Sequence, residues 1–289
     1  MAASLLERVL APDGLSVAFQ PIFERRNDAW HLHAFEALVR GPRDTNLHAA
    51  EVLFAYARRR RAEAVVDRAC LRAIMQTAAP LGVGAHLTLN VHGVTLEQDA
   101  SFAEWFGRLV ERSTFAAGSL TIEIVEHSAS MCGGAFTRTL DRLRARGIRV
   151  ALDDIGLGES NYRMLLDVRP DYFKIDRYLV SGCSHDEYRR AILRSIGALA
   201  ESVGAHAVAE GVDSVDDLTT LCDDGVSLMQ GFLLAEPQSI AALGSGDAVR
   251  RATERLPLTP GAAWRRRSNW LRVLQAPAPA DDTHEAQSL

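Results

Sequence analysis

Eight polar residues, each at or near the end of an apolar stretch, could carry chemistry in this 289-residue chain: Glu36, Asn90, Glu123, Asp153, Asp154, Lys174, Glu210 and Gln230. The set contains five carboxylates, two amides and one ammonium, with no Cys or His. Acids gathered in one place repel each other unless cations neutralise them. Oxygen donors alone select hard ions such as Mg2+ or Mn2+ over zinc. More than four such donors exceeds what one ion needs. Two ions about 3.5–4 Å apart would use them and would clamp an in-line displacement at phosphorus. Asp153 is the natural bridge between two ions. Lys174 is suited to hold or deprotonate an attacking water, or to offset charge on a phosphate. The densest piece is the run 149–158, RVALDDIGLG. Neighbouring strand residues point to opposite sides, so two adjacent acids belong where a strand ends and the chain turns. Taken alone, Asp153-Asp154 reads more readily as an acidic turn capping a helix. The recurrence of similar residues behind other apolar runs outweighs that reading.

Those residues need a scaffold that brings strand ends together. Strand-like runs fall at 15–23, 30–38, 85–91, 119–125, 148–153, 172–175, 205–209 and 226–230. The polar turn at 25–28 makes the first two a hairpin. From the third run onward, helical stretches alternate with strands, which implies parallel pairing through right-handed crossovers. Eight strands in this order predict an α/β fold, a closed (β/α)8 TIM-type barrel with an antiparallel first strand. In such a barrel the residues at the carboxyl ends of the strands share one mouth. We expect a barrel domain over 1–250 and, over 251–289, a helix and disordered tail, because Pro257, Pro260, Pro277 and Pro279 and the polar ending break the pattern.

Composition narrows the function classes. The chain is 47% hydrophobic and 24% charged, enough for a large core and a solvated surface. A net charge of -5 argues against bulk binding to nucleic acid, so any phosphate ligand needs a local cationic or metal site. The four cysteines are scattered and form no CxxC, as expected of reduced thiols rather than of a disulfide frame. No run reads as a membrane span or a signal peptide, so the expected setting is cytoplasmic, with no membrane partner.

The same residues carry a family resemblance. The chain resembles the EAL-domain cyclic di-GMP phosphodiesterases. The signature stands as Glu36-Ala37-Leu38, followed by Val39-Arg40. Gln20-Pro21-Ile22, Leu89-Asn90-Val91, Glu123-Ile124-Val125-Glu126, Asp153-Asp154-Ile155-Gly156, Lys174-Ile175-Asp176, Ala209-Glu210-Gly211-Val212 and Gln230-Gly231-Phe232 follow in the family's order, over residues 15–237. The resemblance implies a barrel with an antiparallel first strand that hydrolyses cyclic di-GMP to linear pGpG with two Mg2+ or Mn2+ ions. It implies that Glu36, Asn90, Glu123, Asp153, Asp154 and Glu210 are metal ligands or close metal support. Lys174 is then the water-orienting base, Gln230 positions water, Gln20, Arg40 and Asp176 contact substrate, and Glu126 anchors the loop after Asp154. It also implies a homodimer.

The chain departs from the family in that loop. Ile155, Leu157 and Glu159 stand where the family usually has Phe, Thr and Tyr, which predicts a slow enzyme with an altered dimer. Asp213 stands where Glu is common. Three other features carry less. His31 and His33 could start a zinc site but read more readily as surface strand residues. Arg58 to Arg61 reads as a helix end, and Arg265 to Arg267 as amphipathic packing with some promise for a protein partner. Ser160 and His127 lack an acid partner for nucleophilic catalysis. The competing function is a catalytically silent EAL module that binds cyclic di-GMP or a protein. Silent members lose a metal ligand or the Lys, and this chain keeps them all. A barrel enzyme of another chemistry, such as enolase-type proton abstraction, is remote.

Overall fold

The computed structural model describes residues 4–26, 29–82, 84–125, 133–156 and 162–244. Its eight strands are β1 Ser16–Arg26, β2 Ala29–Arg40, β3 Leu87–His92, β4 Leu120–Val125, β5 Arg149–Ile155, β6 Tyr172–Ile175, β7 His206–Ala209 and β8 Leu228–Met229. They close into one barrel in sequence order. β1 runs antiparallel to both β2 and β8, and every other neighbour pair is parallel. The expected fold class therefore holds. The boundary at residue 250 and the tail 251–289 lie outside the described residues.

Among the described residues the helices are α1 Leu5–Leu10, α2 Ala50–Arg59, α3 Glu63–Ala78, α4 Gly93–Gln98, α5 Phe102–Glu111, α6 Gly134–Arg144, α7 Tyr162–Val168, α8 Arg177–Val180, α9 Glu187–Ser202, α10 Val215–Asp223 and α11 Ile240–Gly244. Local chemistry sets several of their starts. Asp186 caps α9 by accepting from the backbone of Tyr188 at 2.9 Å, and Ser214 caps α10 by accepting from Asp217 at 3.1 Å. The parallel strands β3 to β6 are apolar on both faces, because helices cover the outside while the interior fills with side chains. No described helix is long and apolar enough to cross a membrane.

The barrel interior explains where polar residues can stand. Its floor is a small apolar layer of Ile22, Ala34, Ala151, Tyr172, Val208 and Leu228. Strand side chains repeat a face every two residues. Two positions beyond each floor residue therefore comes an inward-facing partner one layer higher: Ala34 leads to Glu36, Ala151 to Asp153, Tyr172 to Lys174, Val208 to Glu210 and Leu228 to Gln230. β1 runs the other way, so Ile22 leads back to Gln20. The polar layer is thus a consequence of strand period and register.

Candidate active site

Glu36 lies in the middle of β2, not at its end as read from the sequence. The long hairpin carries β2 on to Arg40, and Glu36 pairs in register with Gln20. Asn90 pairs with Glu123 across β3 and β4. Lys174 is on β6, Glu210 follows β7 and Gln230 follows β8. Backbone bonds fix those last two: Glu210 donates to Ile175 at 3.1 Å and Gln230 to Ala209 at 2.9 Å. Gly231 leaves room for the turn, since a Cβ there would run into the backbone of Val212.

Asp153 and Asp154 occupy an irregularity rather than a strand terminus. The ladder between β5 and β6 shifts register between Leu152 and Ile155, leaving both acids off the regular pairing. Such a bulge re-aims side chains. Asp154 has φ 55, a left-handed conformation that Asp tolerates better than most residues, and its N–H donates to Asp153 Oδ1 at 2.9 Å.

Lys174 is the hub. It is 1% exposed and donates to both oxygens of Glu123 at 2.8 Å, with Glu36 Oε2 at 3.5 Å. It also forms an ion pair with Glu210. Glu36 accepts from Asn90 at 3.0 Å and from Gln230 at 2.7 Å, and Gln230 donates to Gln20 at 2.9 Å. Gln20 in turn donates to the Ala235 carbonyl at 3.0 Å.

Charge in this cluster is unbalanced. Burial opposes the Lys174 ammonium, but Glu123, Glu210, Glu36 and Asp153 outweigh it and hold its pKa well above the usual range. One ammonium cannot neutralise four carboxylates. Burial, only partly offset by Lys174 and reinforced by Asp153 and Glu36, pushes Glu210 up to about 8. Burial likewise raises Glu123. Glu36 is held low because Lys174, Asn90 and Gln230 together overcome its burial. Asp154 is pushed up to about 6 by loss of water around its carboxyl, then by Asp153 and Asp176.

This donor set fits divalent cations. Glu36, Glu123 and Glu210 each offer an oxygen within 4.8 Å of the others'. Asn90 Oδ1 and Gln230 Oε1 are buried with no hydrogen-bond partner among the described residues, which is costly for an acceptor unless something ligates it. All of these donors are oxygens, as a hard ion requires.

Above the cluster opens a cavity of about 470 Å³. Gln20, Glu36, Asn90, Glu123, Asp153, Glu210 and Gln230 line its floor. Its sides bring in residues to which the sequence reading gave no role: Glu51 and Phe54 from α2, His92 at the end of β3, Arg177 after β6 and, named before only as part of a motif, Phe232 after β8. Arg177 donates to Asp213 at 2.7 Å, and Asp213 also lines the cavity. Arg177, His92 and Phe232 lie within three residues of a named motif position, a signal that could have found them. Nothing in the local sequence marks α2 as a wall.

Arg40 and Asp176 do not line this cavity. Arg40 is half-buried at the end of β2 and donates to the Val39 carbonyl at 3.1 Å. Asp176 caps α8 by accepting from Tyr178 at 2.6 Å and faces Asp154. Glu126, the run 157–160 and His127 lie outside the described residues. His31 is exposed, as expected, and His33 is half-buried. Its Nε2 is 3.1 Å from the hydroxyl of Tyr172, a residue of the barrel floor.

Comparison with known proteins places this geometry. A family model described as "EAL domain" matches residues 3–237. The cyclic di-GMP phosphodiesterase RocR of Pseudomonas aeruginosa is 32% identical over 159 residues, covering 55% of this chain and 40% of RocR. Among solved structures, BlrP1 of Klebsiella pneumoniae in a calcium and cyclic di-GMP complex superposes with TM-score 0.70 at 28% identity, covering 82% of this chain and 58% of BlrP1. A standalone EAL protein from Vibrio cholerae in its c-di-GMP-bound form gives TM-score 0.68 at 25% identity, covering 79% of this chain and 94% of that one. The chain thus spans less than half of RocR and just over half of BlrP1.

Proposed function

The chain belongs to the EAL domain family, and from that premise we propose that it is a metal-dependent phosphodiesterase that hydrolyses cyclic di-GMP to linear pGpG. The observation that carries the reading is the buried layer in which Glu36, Glu123 and Glu210 surround Lys174 while two amide oxygens lack partners. Glu36, Asn90, Glu123, Asp153, Asp154 and Glu210 would hold two divalent ions, Mg2+ or Mn2+. When bound, the ions supply positive charge to the phosphodiester and to the water that attacks it.

The protein's own groups divide the remaining work. Gln230, tied to both Gln20 and Glu36, orients water at the floor of the cavity. Lys174 holds the attacking water. Among four carboxylates it is an ammonium, so it acts as a hydrogen-bond donor and counter-charge. Were the surrounding carboxylates to hold cations, their pull on the ammonium would weaken, and Lys174 as an amine would take the water proton. The water oxygen forms the new bond to phosphorus, the bond from phosphorus to one ribose oxygen breaks, that oxygen takes a proton to become a hydroxyl, and the ring opens. Gln20, at the cavity floor, contacts the substrate, whereas Arg40 and Asp176, which stand outside the cavity, act at most from its margin; Glu126 steadies the loop after Asp154.

We propose a cytoplasmic homodimer. Tyr162 and Leu166 on α7 and Tyr178, Tyr188 and Ile192 on α8 and α9 are large exposed apolar side chains suited to a partner copy. The test is direct: purified protein with cyclic di-GMP and Mn2+ or Mg2+, with chromatography for pGpG. Release of pGpG is the expected result. Tight binding without product under either ion would make the chain a binding module instead.

A further inference from the structure

The wall between α2 and β3 holds a built arrangement that the hydrolytic machinery does not use. Asp67 on α3 is 1% exposed and accepts three hydrogen bonds: from the His92 backbone N–H at 3.1 Å, from His92 Nδ1 at 2.8 Å and from the Thr95 hydroxyl at 2.6 Å. A carboxylate is acceptor-only, so the shared proton resides on Nδ1 whether the imidazole is neutral or charged. Asp67 therefore pins the ring in one orientation through two separate attachments, side chain and backbone. The ring lies 4.7 Å from that of Phe54, centroid to centroid, at 56°. Both rings line the 470 Å³ cavity, on the side of α2 and β3, whereas Arg177, Asp213 and Phe232 line it from β6 to β8.

The two rings are tilted to each other, so they form an aromatic corner in which a base stacked on one ring meets the other at an angle, and such a corner in a cavity above a phosphoryl centre suits a heterocyclic base. We propose that Phe54 and His92 form a stacking wall for one guanine of the substrate, with Asp67 as the positioning residue that holds the imidazole in place. This rests on the reading of cyclic di-GMP as ligand and adds to it the surface that receives a base. Metal and phosphate contacts come from the floor and carry no base information, so base preference has to be set by walls such as this one.

The test is equilibrium binding of cyclic di-GMP to the full chain with Ca2+ present to slow turnover, read by calorimetry, alongside KM and kcat with Mn2+. His92→Asn is the informative variant. The Asn amide can keep the hydrogen bond to Asp67 but supplies no ring. Phe54→Leu keeps the apolar packing of α2 and removes the flat face. Each should raise Kd and KM about 10- to 100-fold while kcat changes less than about threefold, as expected for loss of one base-stacking contact. Asp67→Asn should raise Kd by a smaller factor, and combined with His92→Asn it should add nothing further. Wild-type Kd in both His92→Asn and Phe54→Leu would overturn the wall. So would a fall in kcat with KM unchanged, which would place His92 with the metal-side residues. If wild type binds cyclic di-GMP but does not hydrolyse it, the catalytic reading fails and the Kd ratios still decide this one. If wild type does not bind it, both fail.

Discussion

Lys174 Nζ stands 2.8 Å from both carboxylate oxygens of Glu123, and both side chains are sealed from solvent. An ammonium held this way has little freedom, and the carboxylates around it favour its charged form. Lys174→Met removes the donor while keeping an unbranched chain of similar length. We expect kcat to fall by on the order of 10²–10⁴-fold, with Mn2+ binding retained in calorimetry. Wild-type turnover in Lys174→Met would remove this residue from the mechanism. Glu36→Gln should instead lose metal, and activity with it.

The acidic cluster makes metal uptake a proton-releasing event. Glu210 rises from 4.5 to about 8 and Asp154 from 3.8 to about 6 in the absence of cations. Ligands must be deprotonated to bind a cation, so metal affinity should strengthen as pH rises from about 6 to 8. Calorimetry in two buffers of different ionisation enthalpy should show protons released. The stability of the metal-free protein should run the other way. A carboxyl with a raised folded pKa binds more protons folded than unfolded, so stability falls as pH climbs from 4.5 towards 8. A metal-free melting temperature that rises over this window would contradict the assignment.

Removal and exchange of the ions test the donor geometry. EDTA should abolish turnover. Ca2+, larger and content with looser coordination, should occupy the same oxygens and support turnover poorly. Equal rates with Ca2+ and Mg2+ would contradict an in-line two-ion site.

Away from the cavity, Asp217 ties α10 to the turn after α8. It accepts from Gly182 N at 3.0 Å, Ser184 N at 2.9 Å and the Ser214 hydroxyl at 2.8 Å. Burial opposes its charge, but those bonds win and hold its carboxyl down at about 2. A lowered folded pKa gives stability that is complete above about 3.8 and lost as pH falls through about 2. Asp217→Ala should cost about 2–3 kcal/mol in urea unfolding at pH 7, and the gap to wild type should close in acid.

The loop after β5 is expected to limit the rate. Ile155 is buried in the main core, and Gly156 takes φ 100, where a Cβ would collide with Leu179. Restoring Phe, Thr and Tyr at Ile155, Leu157 and Glu159 should raise kcat, by up to about a hundredfold if the acids at the loop's base are now misplaced by about 1 Å. Unchanged kcat in that triple variant would move the rate limit elsewhere.

Most of the barrel was legible because apolar runs and helical stretches alternate without ambiguity from Ala85 onward. The polar layer was legible because its members recur at one place in each repeat. What escaped has physical causes. The bulge at Asp153 and Asp154 is a matter of register with β6, which no local pattern records. The placement of Glu36 inside β2 depends on how far the hairpin runs. The Asp67–His92 pair joins residues 25 apart in sequence, and each alone reads as an ordinary polar residue. The α2 wall depends on how that helix is laid against the barrel.

Because β1 opposes its neighbours, its first residue, Ser16, pairs with Arg40 at the end of β2 where the cavity opens. The first strand thus begins at the barrel's carboxyl-end rim, the side on which the cavity lies. In a barrel whose first strand is parallel to the rest, it would begin at the closed base. The segment ahead of Ser16, in which α1 buries Val9 against the main core, is therefore joined to the barrel at its open rim and not at its base.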